Sequence, residues 1–162
     1  MRVVADAGPV IHLSMIGSFD LLTALYDRIM VPSLVFDEVT VRGAGLPGSA
    51  ELSQADWVEV ARHDSQAHLF RLLGTEIDPG EAAAICLAVA NQADLLLSDD
   101  RKARAAAEAL GLQVKGTLGI LTETKRRGMI ASLGPRLWDL QAKGVWLGDS
   151  LIERVLKEAG ER

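Results

Sequence analysis

Leu95-Leu96-Leu97-Ser98-Asp99-Asp100-Arg101 is the stretch that decides the fold. Three consecutive leucines between Asp94 and Ser98-Asp99-Asp100 are too few for a helix and show no polar alternation. They predict a parallel strand buried on both faces. Downstream, Ala103, Ala106, Ala107 and Leu110 share one side of a predicted helix, with Arg101, Arg104 and Glu108 on the other. Gly111 ends that helix before a strand over Gln113 to Lys115. Upstream, Asp78-Pro79-Gly80-Glu81 opens a helix whose apolar face is Ala82, Ile85, Cys86, Val89 and Ala93.

The same alternation runs through the rest of the chain. Arg2 to Ala5 is a β-branched strand ending at Asp6-Ala7-Gly8-Pro9, followed by a long helical pattern through Leu21, Leu22 and Leu25. Arg28 to Val31 is a second strand, and Pro32-Ser33 starts a helix carrying Val35, Glu38 and Val39. Gly43 to Ser49 reads as loop, Trp57 to Val60 as a third strand, and Ser65 to Leu73 as a helix closed by Gly74. Three helical segments complete the chain: Thr117 to Arg127, Leu133 to Ala142, and Asp149 to Ala159. The last has a stripe of Leu151, Ile152, Val155, Leu156 and Ala159. Strands alternating with helices predict an α/β sandwich around a mostly parallel sheet.

Composition agrees. In 162 residues, 49% are apolar and 24% charged, which predicts one soluble domain or a domain with a small helical extension, and excludes disorder and collagen-like repeats. A chain of this length needs neither disulfides nor a structural metal to fold. The lone Cys86 and an N-terminus without a charged leader and long apolar core lead to an expected cytoplasmic location. The longest uncharged runs, Ala7 to Phe19 and Ala82 to Ala93, have thirteen and twelve residues, short of the roughly 20 that cross a bilayer.

Seventeen Lys+Arg against 22 Asp+Glu give a net charge of −5, which by itself argues against affinity from bulk attraction to phosphate. Distribution matters more. Ligands of open parallel sheets gather beyond the carboxyl ends of strands, and Asp6 and Asp99 each follow an apolar strand. Glu38 and Glu81 lie on helices that begin at the same edge, and Asp100 adjoins Asp99. Carboxylates converging there repel unless a cation is present, and oxygen-only ligands favour Mg²⁺ or Mn²⁺. Each acid also has a plainer role. Asp78 and Glu81 fit a capping box, any of Ser98, Asp99 and Asp100 can cap the next helix, Asp6 suits a turn, and Glu38 beside Asp37 suits a solvated face. The metal reading rests on their coincidence at one edge.

Other residues point less far. His12, His63 and His68 have no cysteine partner and no i,i+4 pairing, which favours structural roles over zinc. Cys86 lies on an apolar helix face with no basic neighbour within a turn and reads as a core residue. Dinucleotide, phosphate-loop and serine-elbow motifs do not occur, so nothing supports those chemistries. The seven aromatics fall mostly in apolar patterns, with no evident base-stacking platform.

Four segments, in order, carry a resemblance: Val3-Val4-Ala5-Asp6-Ala7-Gly8-Pro9-Val10-Ile11, Val31-Pro32-Ser33-Leu34-Val35-Phe36-Asp37-Glu38-Val39, Gly80-Glu81-Ala82-Ala83-Ala84-Ile85, and Leu95 to Arg101. Together they resemble the PIN-domain nucleases over Met1 to about Gly128, and Gly116-Thr117-Leu118-Gly119-Ile120-Leu121 is similar to one prokaryotic, toxin-like branch. The resemblance implies a three-layer α/β/α sandwich, with residues 1–128 as the catalytic domain and 129–162 as a helical extension packed on it. It implies an acidic quartet of Asp6, Glu38, Glu81 and Asp99, with Asp100 as a fifth member, binding Mg²⁺ or Mn²⁺ for hydrolysis of single-stranded RNA. The third acid is Glu81 where toxin members more often have Asp, and the last two acids are adjacent rather than spaced by one residue.

That chemistry is physically coherent. A divalent ion lowers the pKa of bound water and stabilises charge on the phosphate oxygens. Arg101 and Arg104, with Lys125, Arg126 and Arg127, are placed to contact flanking phosphates of a flexible strand. Removing the five acids from the count changes −5 to 0, so net charge does not exclude RNA. The resemblance implies single-stranded RNA and a small antitoxin protein as partners, and the stripe of the last helix suits either a second copy or packing back onto its own domain. The rival functions are a non-catalytic module of similar fold that binds RNA or protein, and a metal-dependent phosphatase of small molecules.

Overall fold

A computed structural model describes residues 1–62 and 64–161. His63 lies outside the described residues. Five strands, β1 (Val3–Ala5), β2 (Ile29–Pro32), β3 (Val58–Ala61), β4 (Leu95–Leu97) and β5 (Val114–Lys115), form one sheet in the order β3-β2-β1-β4-β5. Every pairing is parallel, with Val4 in register with Met30 on one side and Leu96 on the other. The chain winds from β1 outward to β3, then returns to the opposite side of β1 for β4. The order reverses between β1 and β4, and a sheet of this kind opens a crevice at the carboxyl ends of such a pair.

Alternation along the strands divides the core into two layers. Val3, Ala5, Ile29, Val31, Leu95 and Leu97 face a core that includes Val10 and Leu13 of α1 (Ala7–Met15) and Leu22 of α2 (Leu21–Tyr26). Ile120 and Leu121 of α8 (Thr117–Arg126), Leu137 and Leu140 of α9 (Gly134–Ala142), and Ile152 and Leu156 of α10 (Asp149–Glu158) complete that layer. Val4 and Leu96 face the opposite layer. There Ala82 and Ile85 of α6 (Pro79–Ala90) pack with Ala103 and Ala107 of α7 (Arg101–Ala109). Helices on both faces of a parallel sheet make the expected three-layer α/β/α sandwich. Among the described residues no helix is long and apolar enough to cross a membrane.

Several boundaries differ from the sequence reading, each for a local reason. The long first helix breaks into α1 and α2 at Gly17, whose φ of 65° leaves the helical region. The helix begun at Pro32-Ser33 is only α3 (Ser33–Asp37), and its last turn widens into a π-helical turn over Glu38–Arg42, closed by the Gly43 amide on the Glu38 carbonyl at 2.9 Å. Such turns insert one residue and re-aim the side chains around it. The glycine-rich loop gives way at Ser49 to α4 (Ser49–Gln54), and α5 (Ala67–Leu73) follows a single 3₁₀ turn.

Two predicted faces need correction. Instead of one apolar side, α6 is buried at Gly80 and at every residue from Ala82 to Ala88, because α3, α5, α7 and the sheet surround it. Its small alanines permit that close approach. On α7 Leu110 lies past the C-terminal turn and is exposed, leaving Ala103 and Ala107 to make the contact. The α10 stripe packs inward: Ile152, Val155 and Leu156 are buried in the same core as Leu13 and Leu137. These three residues of the stripe thus pack on the chain's own core, while Leu151 and Ala159 are only partly buried.

Candidate active site

Asp6 ends β1 and caps α1. Its backbone is extended, its amide donates to the Leu97 carbonyl at 2.9 Å across the β1–β4 junction, and its Oδ1 accepts from the Ala7 amide at 2.8 Å. Only 6% of the residue is exposed. Burial pushes the carboxyl up to about 7 against the opposing Ala7 bond, and the carboxylates of Glu81, Asp78 and Glu38 add to the rise. Among the described residues no lysine or arginine forms an ion pair with it.

Three elements bring those other acids to it. Glu38 opens the π-helical turn after α3, and burial raises its carboxyl, helped by Asp78 and opposed by Arg42. A Cβ on Gly80 would stand 2.9 Å from Glu38 Oε1, so the missing side chain at Gly80 is what admits the carboxylate. Glu81 is both a capping residue and a member of the cluster. Its amide donates to Asp78 Oδ1 at 2.8 Å, and its Oε2 accepts from the Asp78 amide at 3.1 Å. Burial still pushes its carboxyl up to about 7, with the Asp78 amide opposing and the charges of Asp78 and Asp100 reinforcing.

Asp99 has a different environment. Its Oδ1 accepts from the Thr117 amide at 2.7 Å, and its Oδ2 accepts from Thr117 Oγ1 at 2.6 Å and lies 2.7 Å from His12 Nδ1. Burial would raise this carboxyl, but the bonds to His12 and Thr117 together outweigh it and hold it below its ordinary value. Gly8 and Gly116 clasp the group, since a Cβ at either would come within 3.1 or 2.7 Å of its oxygens. Asp100 caps α7 through the Ala103 amide at 2.9 Å, and its charge is felt at Glu81.

The predicted acids thus divide. Asp6, Glu38 and Glu81 share one field at the carboxyl edge, Asp100 borders it, and Asp99 is engaged by His12 and Thr117 from α1 and α8. Sequence reasoning missed Asp78, whose capping role hid its charge, and also Thr117, which the strand-end rule applied to β5 could have found. It also set His12 aside, because nothing in spacing connects it to Asp99, 87 residues away.

The donor chemistry suits a hard divalent cation: oxygen-only carboxylates, a buried Asp6 without a cationic partner, and mutual repulsion that a cation would relieve. Asp6, Glu38 and Glu81 are the residues that would hold it. As the side chains lie, no three His, Cys, Asp or Glu among the described residues are grouped closely enough to chelate one ion. Gly80→Ala is a direct test of the Glu38 placement. The added methyl should displace the flexible Glu38 carboxylate and so lower any metal-dependent activity at least tenfold, while thermal melting changes little, because alanine suits the first helical turn at least as well as glycine.

The family model of DUF3368, described as a PIN domain, matches residues 2–161. The chain belongs to the PIN-domain family. Its members are generally nucleases. None of the curated proteins compared with it matches the chain.

Beside Asp99 the PIN domain opens a cavity of about 900 Å³, lined by His12 and Thr117 and, from α7, by Arg101 and Arg104. The other predicted basic cluster does not join it. α8 starts at the carboxyl edge and runs ten residues back, about 15 Å, toward the opposite edge. There Arg126 and Arg127 both pair with Glu123, at 2.6 and 2.7 Å, and Lys125 Nζ donates to the Ala131 carbonyl at 2.7 Å. Cys86 is buried, and burial pushes its thiol up to about 11, which leaves it inert as read from sequence.

Proposed function

We propose that this PIN domain is a divalent-metal-dependent endoribonuclease of single-stranded RNA, and that a small antitoxin protein restrains it. The observation that carries the reading is Asp6. It is a buried carboxyl at the sheet's switch point, pushed up to about 7 by burial and by three neighbouring acids, and among the described residues no lysine or arginine pairs with it. Such an arrangement costs stability and is retained where the repelling carboxylates are used together. A bound Mg²⁺ or Mn²⁺ supplies an activated water and charge neutralisation at the scissile phosphate. Around it, Glu38 and Glu81 complete the acidic wall, and Arg101 and Arg104 hold flanking phosphates. His12 and Thr117 fix the Asp99 carboxylate at the rim.

The test is cleavage of mixed RNAs by the purified chain with added Mn²⁺, against the same reaction in EDTA. Metal-dependent cleavage supports the reading, and its absence across several metals and RNAs overturns it. The second reading, a non-catalytic module that binds RNA or protein, draws on the commitment of Asp99 to His12 and Thr117. RNA binding without cleavage would favour it.

A further inference from the structure

We propose that the cavity beside Asp99 is a nucleotide subsite in which Trp146 stacks on an unpaired base while Arg101 and Arg104 hold phosphates of the same strand. The inference rests on the reading of the chain as acting on single-stranded RNA, and adds the side chain that grips a base. Trp146 lies in the segment joining α9 to α10 and is 89% exposed, although an indole ordinarily contributes more by burial than almost any other side chain.

This exposure is imposed by the neighbours. Val145 and Leu147 both pack against the main core, the Val145 amide donates to the Leu140 carbonyl at 3.0 Å, and Gln141 Nε2 donates to the Leu147 carbonyl at 3.0 Å. With the residues before and after it held inward, the indole is held outward at the mouth of the cavity. A flat aromatic surface presented on an anchored segment loses little freedom when a base stacks on it.

The charges at the same mouth indicate which occupant fits. Arg101 and Arg104 lie three residues apart on one face of α7, and neither has an acidic partner among the described residues. Lys143 also lines the cavity, but its Nζ is engaged by the Met15 carbonyl and Asp139, and the opposing charges in the lining are Glu108 and Asp99, the latter already engaged by His12 and Thr117. Two unpaired guanidiniums beside an exposed indole fit a strand that offers phosphates and π-faces together. The cavity adjoins the strand-end acids through Asp99, which lines it with Thr117, and Gly8, two residues beyond Asp6, packs on the Asp99 carboxylate.

The experiment is a titration of the full chain with a short single-stranded RNA in EDTA, read by indole fluorescence and by anisotropy of a labelled strand. Saturable quenching is expected. Trp146→Ala should abolish most of it and weaken binding about ten- to a hundredfold, and Trp146→Phe should restore most of the affinity. An abasic strand should bind wild type no better than Trp146→Ala binds the intact one. Arg101→Gln should reduce the salt dependence of binding by about one phosphate contact. Equal affinity in wild type and Trp146→Ala overturns the subsite, as does a fluorescence change produced by self-association or by an acidic peptide but not by RNA. RNA cleavage with Mn²⁺ alongside equal affinities removes only the subsite. Trp146-dependent binding with no cleavage keeps the subsite and removes the nuclease reading.

Discussion

Asp6→Asn should lose metal-dependent cleavage by about a thousandfold, the scale of the several kcal/mol that a positioned divalent ion supplies to a phosphoryl transition state. The same variant should be more stable than wild type above neutral pH in EDTA. An ordinary aspartate ionises near 3.8, whereas burial and the surrounding acids push Asp6 up to about 7. Between those values the folded chain holds a proton that the unfolded chain has released, so wild-type stability falls as pH rises from about 4 to 7 and stays low above. At ~1.4 kcal/mol per tenfold change in proton affinity, the penalty at pH 8 has an upper bound of about 4 kcal/mol. Asparagine removes the charge and keeps an oxygen for the Ala7 amide. Melting curves at pH 5 and pH 8 check this: the variant's gain over wild type should be clearly larger at pH 8 than at pH 5. Wild-type cleavage rates in a pure preparation would remove Asp6 from catalysis.

Asp99→Ala has the opposite sign. This carboxylate accepts from the Thr117 amide and hydroxyl and bonds His12 Nδ1, so its loss leaves two donors of α8 and one ring nitrogen of α1 without their partner. Asp99 and His12 are each about a quarter exposed, so water replaces part of what is lost, and a destabilisation of about 2–4 kcal/mol is expected. The carboxyl is held below its ordinary value, so its contribution is complete above the ordinary carboxylate range and is lost as pH falls through the folded value. The difference in melting temperature between wild type and Asp99→Ala should therefore be full at pH 7 and shrink toward pH 3. A variant as stable as wild type at pH 7 would show that the three bonds contribute nothing net. Two strand-end aspartates on the same crevice are thus distinguished by stability alone, one strained by its neighbours and the other satisfied by them.

Much of this architecture is legible locally. The leucine run of β4, the strand-end positions of Asp6 and Asp99, and the capping box at Asp78-Pro79-Gly80-Glu81 depend on hydrophobic period and on hydrogen bonds within a few residues. Short-range rules reach such features because both partners lie in the same segment. They also explain why the three-layer order follows from the alternation of strands and helices, whereas the break at Gly17 and the π-helical turn at Glu38 do not. Those two are changes of backbone geometry inside a segment, which the apolar period does not register.

The choice of partners belongs to the tertiary structure. Only the return of the chain across β1 sets Asp99 against His12 and Thr117 rather than against Asp6, and only the packing of α3 on α6 brings Glu38 over Gly80. The direction of α8 carries Lys125, Arg126 and Arg127 away from the crevice, and the inward anchoring of Val145 and Leu147 turns Trp146 out. In each case the deciding contact joins residues from different elements. A side chain's direction is then set by how those elements close on one another, which no local pattern encodes. The sequence by itself determined that acids would stand at the carboxyl edge of a parallel sheet. Which of them share a field, and which are quieted by a neighbouring donor, was decided by the fold.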